Sequence, residues 1–394
     1  MRWRRHVLIA IVAFLTTIDN TIVNVALPSI QRDLSMSLPA LEWVVTGYIV
    51  TFAGLMLAGG RLADRYGQRR ILLCGLAVFT AASLLAGTAA DAGMLLAARA
   101  IQGSGAALAL PAAQAVAAGG SSREERDRGA AVWMAALAVA LAAGPIAGGW
   151  LSQHLGWRWV FLVNLPPGLA GMLLCRAMTG QAPPGAGSSA GLLTLVRERA
   201  VSGGVVASAL WGSGVNGVFF FTSLFLQRAA GFSATRTGLV FVPLAVFVVL
   251  AAPAAPALAG RLGTARTVAS GLVLVSAGLA LVALTRDHVT VLRLLPGLAM
   301  IGAGSALTAP LTSSVIAAVP PASAGAASGM LSVAREGSGL AGIFFLGLIV
   351  AGGRALPARG AVPVAFVHGY GTGLLIAAGL ALAGAVVAAR TLPG

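Results

Sequence analysis

What most constrains this chain is a recurring apolar run of about twenty residues. Wound as a helix, a run of that length crosses roughly 30 Å of hydrocarbon. Twelve such runs are legible, near 7–29, 41–60, 71–90, 94–119, 129–153, 159–178, 201–226, 236–259, 267–285, 290–318, 325–351 and 366–390. Only 9% of the 394 residues are charged and 58% are hydrophobic. That is too little charge to cover a water-soluble protein of this length. The residue-by-residue alternation of a transmembrane barrel strand is weak throughout. The predicted class is an all-α polytopic membrane protein with about twelve spans.

The net charge of +15 comes from arginine alone, because the sequence contains no lysine. In a soluble protein that excess would suggest nucleic acid. Here the arginines gather in short connections between spans, where they set orientation, and no nucleic-acid partner is expected. The tail (Arg2, Arg4, Arg5), the 61–70 and 123–128 loops and the 176–199 segment are arginine-rich, whereas the intervening first-half connections hold only Arg32 and Arg158. Both termini are therefore expected in the cytoplasm, with the protein in the plasma membrane. The second half is less decisive, since Arg228, Arg236, Arg286, Arg293, Arg354 and Arg359 fall on expected outer connections. The first apolar run has no small-residue cleavage site and reads as a span rather than a signal peptide.

The stretch 179–190, TGQAPPGAGSSA, has no hydrophobic period and reads as a flexible connection. It divides the chain into a first six-helix half (1–178), a cytoplasmic linker (179–200) and a second six-helix half (201–394). A GxSxG pattern at 187–191 lacks the strand and helix that a hydrolase elbow requires. The halves echo each other in order. Gly60-Arg61-Leu62 recurs as Gly260-Arg261-Leu262, the Gly103–Pro111 stretch as Gly302–Pro310, and Gly144–Gly148 as Gly337–Ala341. Three echoes in order indicate a parallel repeat.

Four stretches carry chemistry. Gly60–Arg70, GRLADRYGQRR, sets four arginines and Asp64 between two spans. Taken alone it is a topology signal. Asp19 lies about thirteen residues into the first run, or ~20 Å along a helix. An acid at that depth must face the protein interior. Thr17, Asn20, Thr21 and Asn24 form a polar face beside it, suited to a cavity, although a structural hydrogen-bonded acid fits the same pattern. Arg99 and Gln102 share a face of the fourth span with Gly103 and Ala106, and Arg99 needs a carboxylate or carbonyl partner. Asp19 is the nominated one. In the fifth span Gly144-Pro145 and Gly148 combine a small-residue face with a bend. In the eleventh, Arg335-Glu336 sits beside Gly337-Ser-Gly339. Neutralisation of Arg335 is the favoured role for Glu336, ahead of a second proton or cation site. Cys74 and Cys175 read as buried small hydrophobes. Trp43, Trp133, Trp211 and Phe219–Phe221 suit an apolar cavity or lipid equally. No P-loop is possible without lysine, the four histidines are scattered, and no cofactor or metal is expected.

Gly60–Arg70, with Asp64, Arg65, Gly67, Arg69 and Arg70 in place, resembles the loop signature of the major facilitator superfamily. The Asp19–Pro28, Arg99–Gly105 and Ala143–Gly149 stretches, with Trp157–Gly168 and Leu226–Gly238, are similar to its drug:proton antiporter branch, whose members usually have fourteen spans. The resemblance implies two six-helix bundles and proton coupling through Asp19, tuned by Arg99. It also implies a gating contact of Asp64 with the start of helix eleven, at 322–325, and an antiporter role for Gly144-Pro145. Two departures stand out: the branch's central helix pair is missing, and Glu336 replaces a glutamine. The expected function is export of small amphipathic molecules against protons, by a monomer that is not an enzyme. The alternatives are a proton-coupled nutrient importer and a non-transporting membrane sensor or scaffold.

Overall fold

The structure, a computed structural model, describes residues 2–118, 123–178, 192–285, 289–320, 323–351 and 364–392. Most of the 179–200 linker, the GxSxG pattern, His288, Arg286, Arg354 and Arg359 lie outside the described residues. Everything regular among the described residues is helical. The first half comprises α1 (Arg2–Asp33), α2 (Leu38–Tyr66), α3 (Gln68–Gly87), α4 (Ala92–Ala118), α5 (Arg123–His154), α6 (Trp159–Leu162) and α7 (Leu165–Ala177). A short α8 (Leu192–Arg197) precedes α9 (Arg199–Arg228), α10 (Ala234–Val240), α11 (Val242–Ala251), α12 (Ala254–Leu262) and α13 (Thr264–Leu284). The chain continues through α14 (Val291–Leu307), α15 (Pro310–Ala317), α16 (Ala324–Ala351) and α17 (Val364–Thr391). Eleven stretches are long and apolar enough to cross a membrane, and the 28-residue α16 occupies the place of the remaining expected span.

Several expected spans are segmented, and proline accounts for most breaks. The sixth divides into α6 and α7 where Pro166 and Pro167 fill the first turn of α7. The eighth divides into α10, α11 and α12, with Pro243 in the first turn of α11 and Pro253 capping α12. The tenth divides at Thr308–Ala309, before Pro310 opens α15. Proline lacks the N–H that would continue the ladder but suits a first turn.

The arginine-rich connections are shorter than the sequence suggests. Residues 61–66 continue α2, and α3 begins at Gln68, so Gly67 alone makes the turn. Its φ of 93° is one that a side chain resists. Its N–H donates to the Ala63 carbonyl at 3.0 Å. The second half repeats the device: Gly263, at φ 86°, separates α12 from α13 and donates to Ala259 at 3.1 Å. Residues 123–128 are likewise the first turns of α5 rather than a loop.

By internal contacts the chain forms two units. One holds Met1–Gly187 with Ser233–Gly238, the other Ser188–Phe232 with Leu239–Gly394. In the first, α4 lies against α2 and α3, and α5 against α1. The α3–α4 approach is so close that a Cβ on Gly105 would stand 2.5 Å from the Phe79 nitrogen. In the second, α13 lies against α14 and α17, and α9 against α16 and α17. Cys175 is buried, whereas Cys74 is exposed on the outer face of α3 rather than buried.

Candidate functional site: a buried acid–arginine cluster

Asp19, on α1, is completely inaccessible, and so are Arg99 and Gln102 on α4. The Arg99 Nη1 donates to Asp19 Oδ2 at 2.7 Å, the nominated pairing. Gln102 Nε2 donates to Asp19 Oδ1 at 2.8 Å, and Asn164 Nδ2 donates to the same oxygen at 2.9 Å. Each of these groups only donates, which complements an ionised carboxylate. Gln102 also ties the cluster together. Its Oε1 accepts from Arg99 Nη1 at 2.7 Å, and its Nε2 reaches Ser83 Oγ on α3 at 2.8 Å. The spacing of Arg99 and Gln102, three apart on a helix, sets both on the face turned to α1.

Arg99 is held from other sides as well. Its Nε donates to the Val44 carbonyl of α2 at 2.7 Å, and its guanidinium lies 4.5 Å from the Tyr48 ring centre and 5.8 Å from that of Phe161. One nitrogen, Nη2, has no hydrogen-bond partner among the described residues, and neither has Asn164 Oδ1. A buried charge normally satisfies all its donors.

Asn164 and Ser83 were not singled out from the sequence. Asn164 sits at the joint of α6 and α7 that Pro166 enforces, so the signal for it was an asparagine two residues before a proline pair inside an apolar run. Ser83 carried no distinguishing signal. Thr21 and Asn24, by contrast, turn to their own helix. Thr21 Oγ1 bonds the Thr17 and Ile18 carbonyls, and Asn24 Nδ2 bonds that of Asn20 at 2.8 Å. The structure does not bring Asn20 or Asn24 into the cluster.

The other predicted residues fall in three places. Gly144 and Gly148 are where α5 meets α1: a Cβ on Gly144 would collide with Thr21, and one on Gly148 would stand 2.5 Å from the Ile22 carbonyl. The close α1–α5 contact therefore begins two residues beyond Asp19. Pro145 lies within α5. Gly103 is a close-approach position against Tyr48 and Thr51 of α2. In the Gly60–Arg70 stretch, Asp64 is half-buried and has no hydrogen-bond or ion-pair partner among the described residues. Its expected neighbour, 322–325, falls partly outside those residues. Arg65 lies over the Tyr66 ring at 5.3 Å, and Arg70 is exposed. Arg69 instead caps α7, with Nε donating to the Cys175 carbonyl at 3.0 Å and Nη2 to that of Arg176 at 2.6 Å.

In the second unit, Arg335 and Glu336, the residue favoured to neutralise it, interact electrostatically on α16 without a direct hydrogen-bonded ion pair among the described residues. The Arg335 guanidinium lies over the Trp211 ring of α9 at 5.2 Å, and its Nε has no hydrogen-bond partner among the described residues.

The sequence pattern of the Major Facilitator Superfamily matches residues 9–343. The chain belongs to that superfamily. It is 34% identical to the puromycin resistance protein pur8 of Streptomyces alboniger, over 98% of this chain and 90% of the relative. It is 32% identical to the cephamycin export protein CmcT of Amycolatopsis lactamdurans, over 84% of this chain and 82% of the relative. Among solved structures, a D-xylose–proton symporter superposes with a TM-score of 0.82 over 99% of this chain and 98% of that one, at 15% identity. That likeness shows the fold alone. The protein is thus a multi-pass membrane transporter of the major facilitator fold, and its relatives place it with the resistance exporters.

Proposed function

We propose that the protein exports small amphipathic molecules across the plasma membrane in exchange for protons, with both termini in the cytoplasm. The observation that carries this reading is the fully buried Asp19–Arg99 pair, joined to Gln102 and Asn164. A proton taken up by the Asp19 carboxylate removes the negative charge that holds the buried Arg99 guanidinium. Protonation therefore displaces Arg99, whose charge must then find other partners. The displacement acts two residues from the α1–α5 contact at Gly144 and Gly148, so a rearrangement at Asp19 is felt along α5. A proton thereby biases one arrangement of the helices over another, and substrate and proton exclude each other through that choice. A cell-membrane exporter fits the antibiotic-resistance names of the relatives, and makes puromycin the first compound to try.

The test is transport in proteoliposomes under an imposed pH gradient. The unmodified protein should accumulate puromycin against its gradient and release protons when substrate binds. Asp19→Asn should lose both. Uphill transport and proton release persisting in Asp19→Asn would remove Asp19 from the coupling role. No uphill transport of puromycin or of related amphiphiles by the unmodified protein would defeat the export reading.

A further inference from the structure

Between α5 and α7 the chain runs through a series of tight turns that joins the Asp19 cluster to a half-exposed arginine. The Phe161 N–H donates to the Arg158 carbonyl at 3.2 Å, and the Asn164 N–H donates to that of Phe161 at 3.1 Å. Hydrogen bonds closed over three residues bring side chains three apart onto one face. Arg158, Phe161 and Asn164 therefore form a row.

The buried end of the row is part of the cluster. Asn164, 1% exposed, donates to Asp19 Oδ1, and the centre of the fully buried Phe161 ring lies 5.8 Å from the Arg99 guanidinium. At the other end Arg158, with 41% of its side chain exposed, holds the ends of two other helices. Its Nη1 donates to Asp33 Oδ2, on the last residue of α1, at 2.8 Å, and its Nη2 to the Ala89 carbonyl just beyond α3 at 3.0 Å. The buried Trp157 indole N–H donates to the same Asp33 oxygen at 2.8 Å. That indole stacks on the Arg158 guanidinium at 4.4 Å and meets the Phe161 ring edge-on at 6.1 Å. From the side, α3 presses on α6: a Cβ on Gly87 would stand 2.5 Å from the Leu162 side chain. An ion pair as exposed as Arg158–Asp33 is screened by solvent and adds little stability of its own. What it fixes is direction, because a planar fork held by a carboxylate, a carbonyl and an indole face has one place to sit.

We propose that Arg158 is a positioning residue for the Asp19–Arg99 pair: anchored to Asp33 and Ala89, it sets the row so that Asn164 donates to the carboxylate and Phe161 backs the guanidinium. The inference rests on the proton-coupling reading above and deepens it, giving the buried pair a control point at the edge of the first unit. Among the described residues Arg99 is the one charged group hydrogen-bonded to Asp19. Around the pair, α2 adds the Tyr48 ring, α4 the Gln102 amide and the α6–α7 joint the Asn164 amide, while α5 meets α1 through Gly144 and Gly148. A displaced Asn164 therefore withdraws support from the ionised carboxylate in particular.

Two measurements on the full chain test this. In detergent micelles, the melting temperatures of Arg158→Gln, Asn164→Ala and the double variant form a cycle. If Arg158 acts through Asn164, the loss caused by Asn164→Ala should fall by about half in the Arg158→Gln background. Additive losses overturn the proposal, whether or not the protein transports. In proteoliposomes, proton release on puromycin binding should persist in Arg158→Gln to a pH about 0.5 unit higher than in the unmodified protein, because the carboxylate has lost a donor. Arg158→Lys, which keeps the charge without the fork, should recover part of that shift. Asp33→Ala, which frees the row from α1, should shift the profile in the same direction, and it replaces Arg158→Gln in both measurements should that variant not fold. A profile that moves in neither variant overturns the proposal. No proton release by the unmodified protein defeats the coupling reading instead, and the melting cycle then decides alone whether Arg158 positions Asn164.

Discussion

Three donors converge on the Asp19 carboxylate, and they are not equivalent. Arg99 contributes charge, whereas Gln102 and Asn164 contribute only direction. Removing a charged partner from a buried pair costs about 3–5 kcal/mol, because the other charge is left unpaired. Removing an amide donor costs about 1–2 kcal/mol. Asn164→Ala should therefore fold but melt earlier, and its effect should depend on Asp19. In an Asp19→Asn background the added loss should shrink by about 1 kcal/mol, since the anion that Asn164 serves is gone. Unfolding of the two single variants and the double variant in detergent measures that coupling; equal losses in both backgrounds would mean that Asn164 merely fills the α6–α7 joint. At this scale the sequence shows the charges but not their auxiliaries. Asp19 and Arg99 are conspicuous because ionisable groups in apolar runs are rare. Ser83 and Asn164 are ordinary polar residues whose importance comes from where other helices place them.

Between α2 and α3 the Gly60–Arg70 element divides into two physically separate parts. Arg69 donates twice to the last carbonyls of α7, where a helix end is electronegative and its carbonyls lack partners within the helix. Arg5 does the same for α4 at the Val116 carbonyl, and Arg199 for α17 at that of Arg390. Three of the arginines that mark topology in the sequence, Arg5, Arg69 and Arg199, are thus also helix caps in the structure. Arg69→Ala should lower the stability of the protein by about 1–2 kcal/mol, read as a lower melting temperature, and should reduce transport no more than that loss explains. Asp64 behaves oppositely. With no partner among the described residues, it contributes little to the fold, so Asp64→Asn should leave the melting temperature within the range of a surface substitution, about ±0.5 kcal/mol, and still impair transport. Normal insertion and melting with reduced exchange in proteoliposomes is the expected pattern; undiminished exchange would leave Asp64 without a gating role. Periodicity and arginine content could not separate these roles, because both residues sit in the same charged run and differ only in what lies across from them.

Across the whole chain, architecture was far more legible than segmentation. Apolar runs of membrane length survive any local detail, so the number and order of spans follow from the sequence. The breaks in the eighth and tenth spans do not, because a proline inside an apolar run is compatible with either a kink or a stop, and neighbouring helices decide which. The parallel repeat is legible at both levels: the helices that carry Gly60-Arg-Leu and Gly260-Arg-Leu, α2 and α12, each end on a positive-φ glycine, Gly67 and Gly263. Orientation follows from arginine placement in the first half, and it is open to direct measurement. Cys74 and Cys175 lie inside spans, and after both are replaced by serine or alanine, single cysteines can be introduced at the α1–α2 and α2–α3 connections. Ser35, exposed between α1 and α2, should then react with a membrane-impermeant maleimide in intact cells. Arg70, exposed at the start of α3, should react only after the membrane is opened. The reverse pattern would invert the protein and place Asp64 on the outer side, where arginine-rich connections are disfavoured. Labelling at both positions in intact cells would mean that α2 does not span, a result that its 29-residue length and the burial of its Val44–Ile49 turn against α4 both argue against.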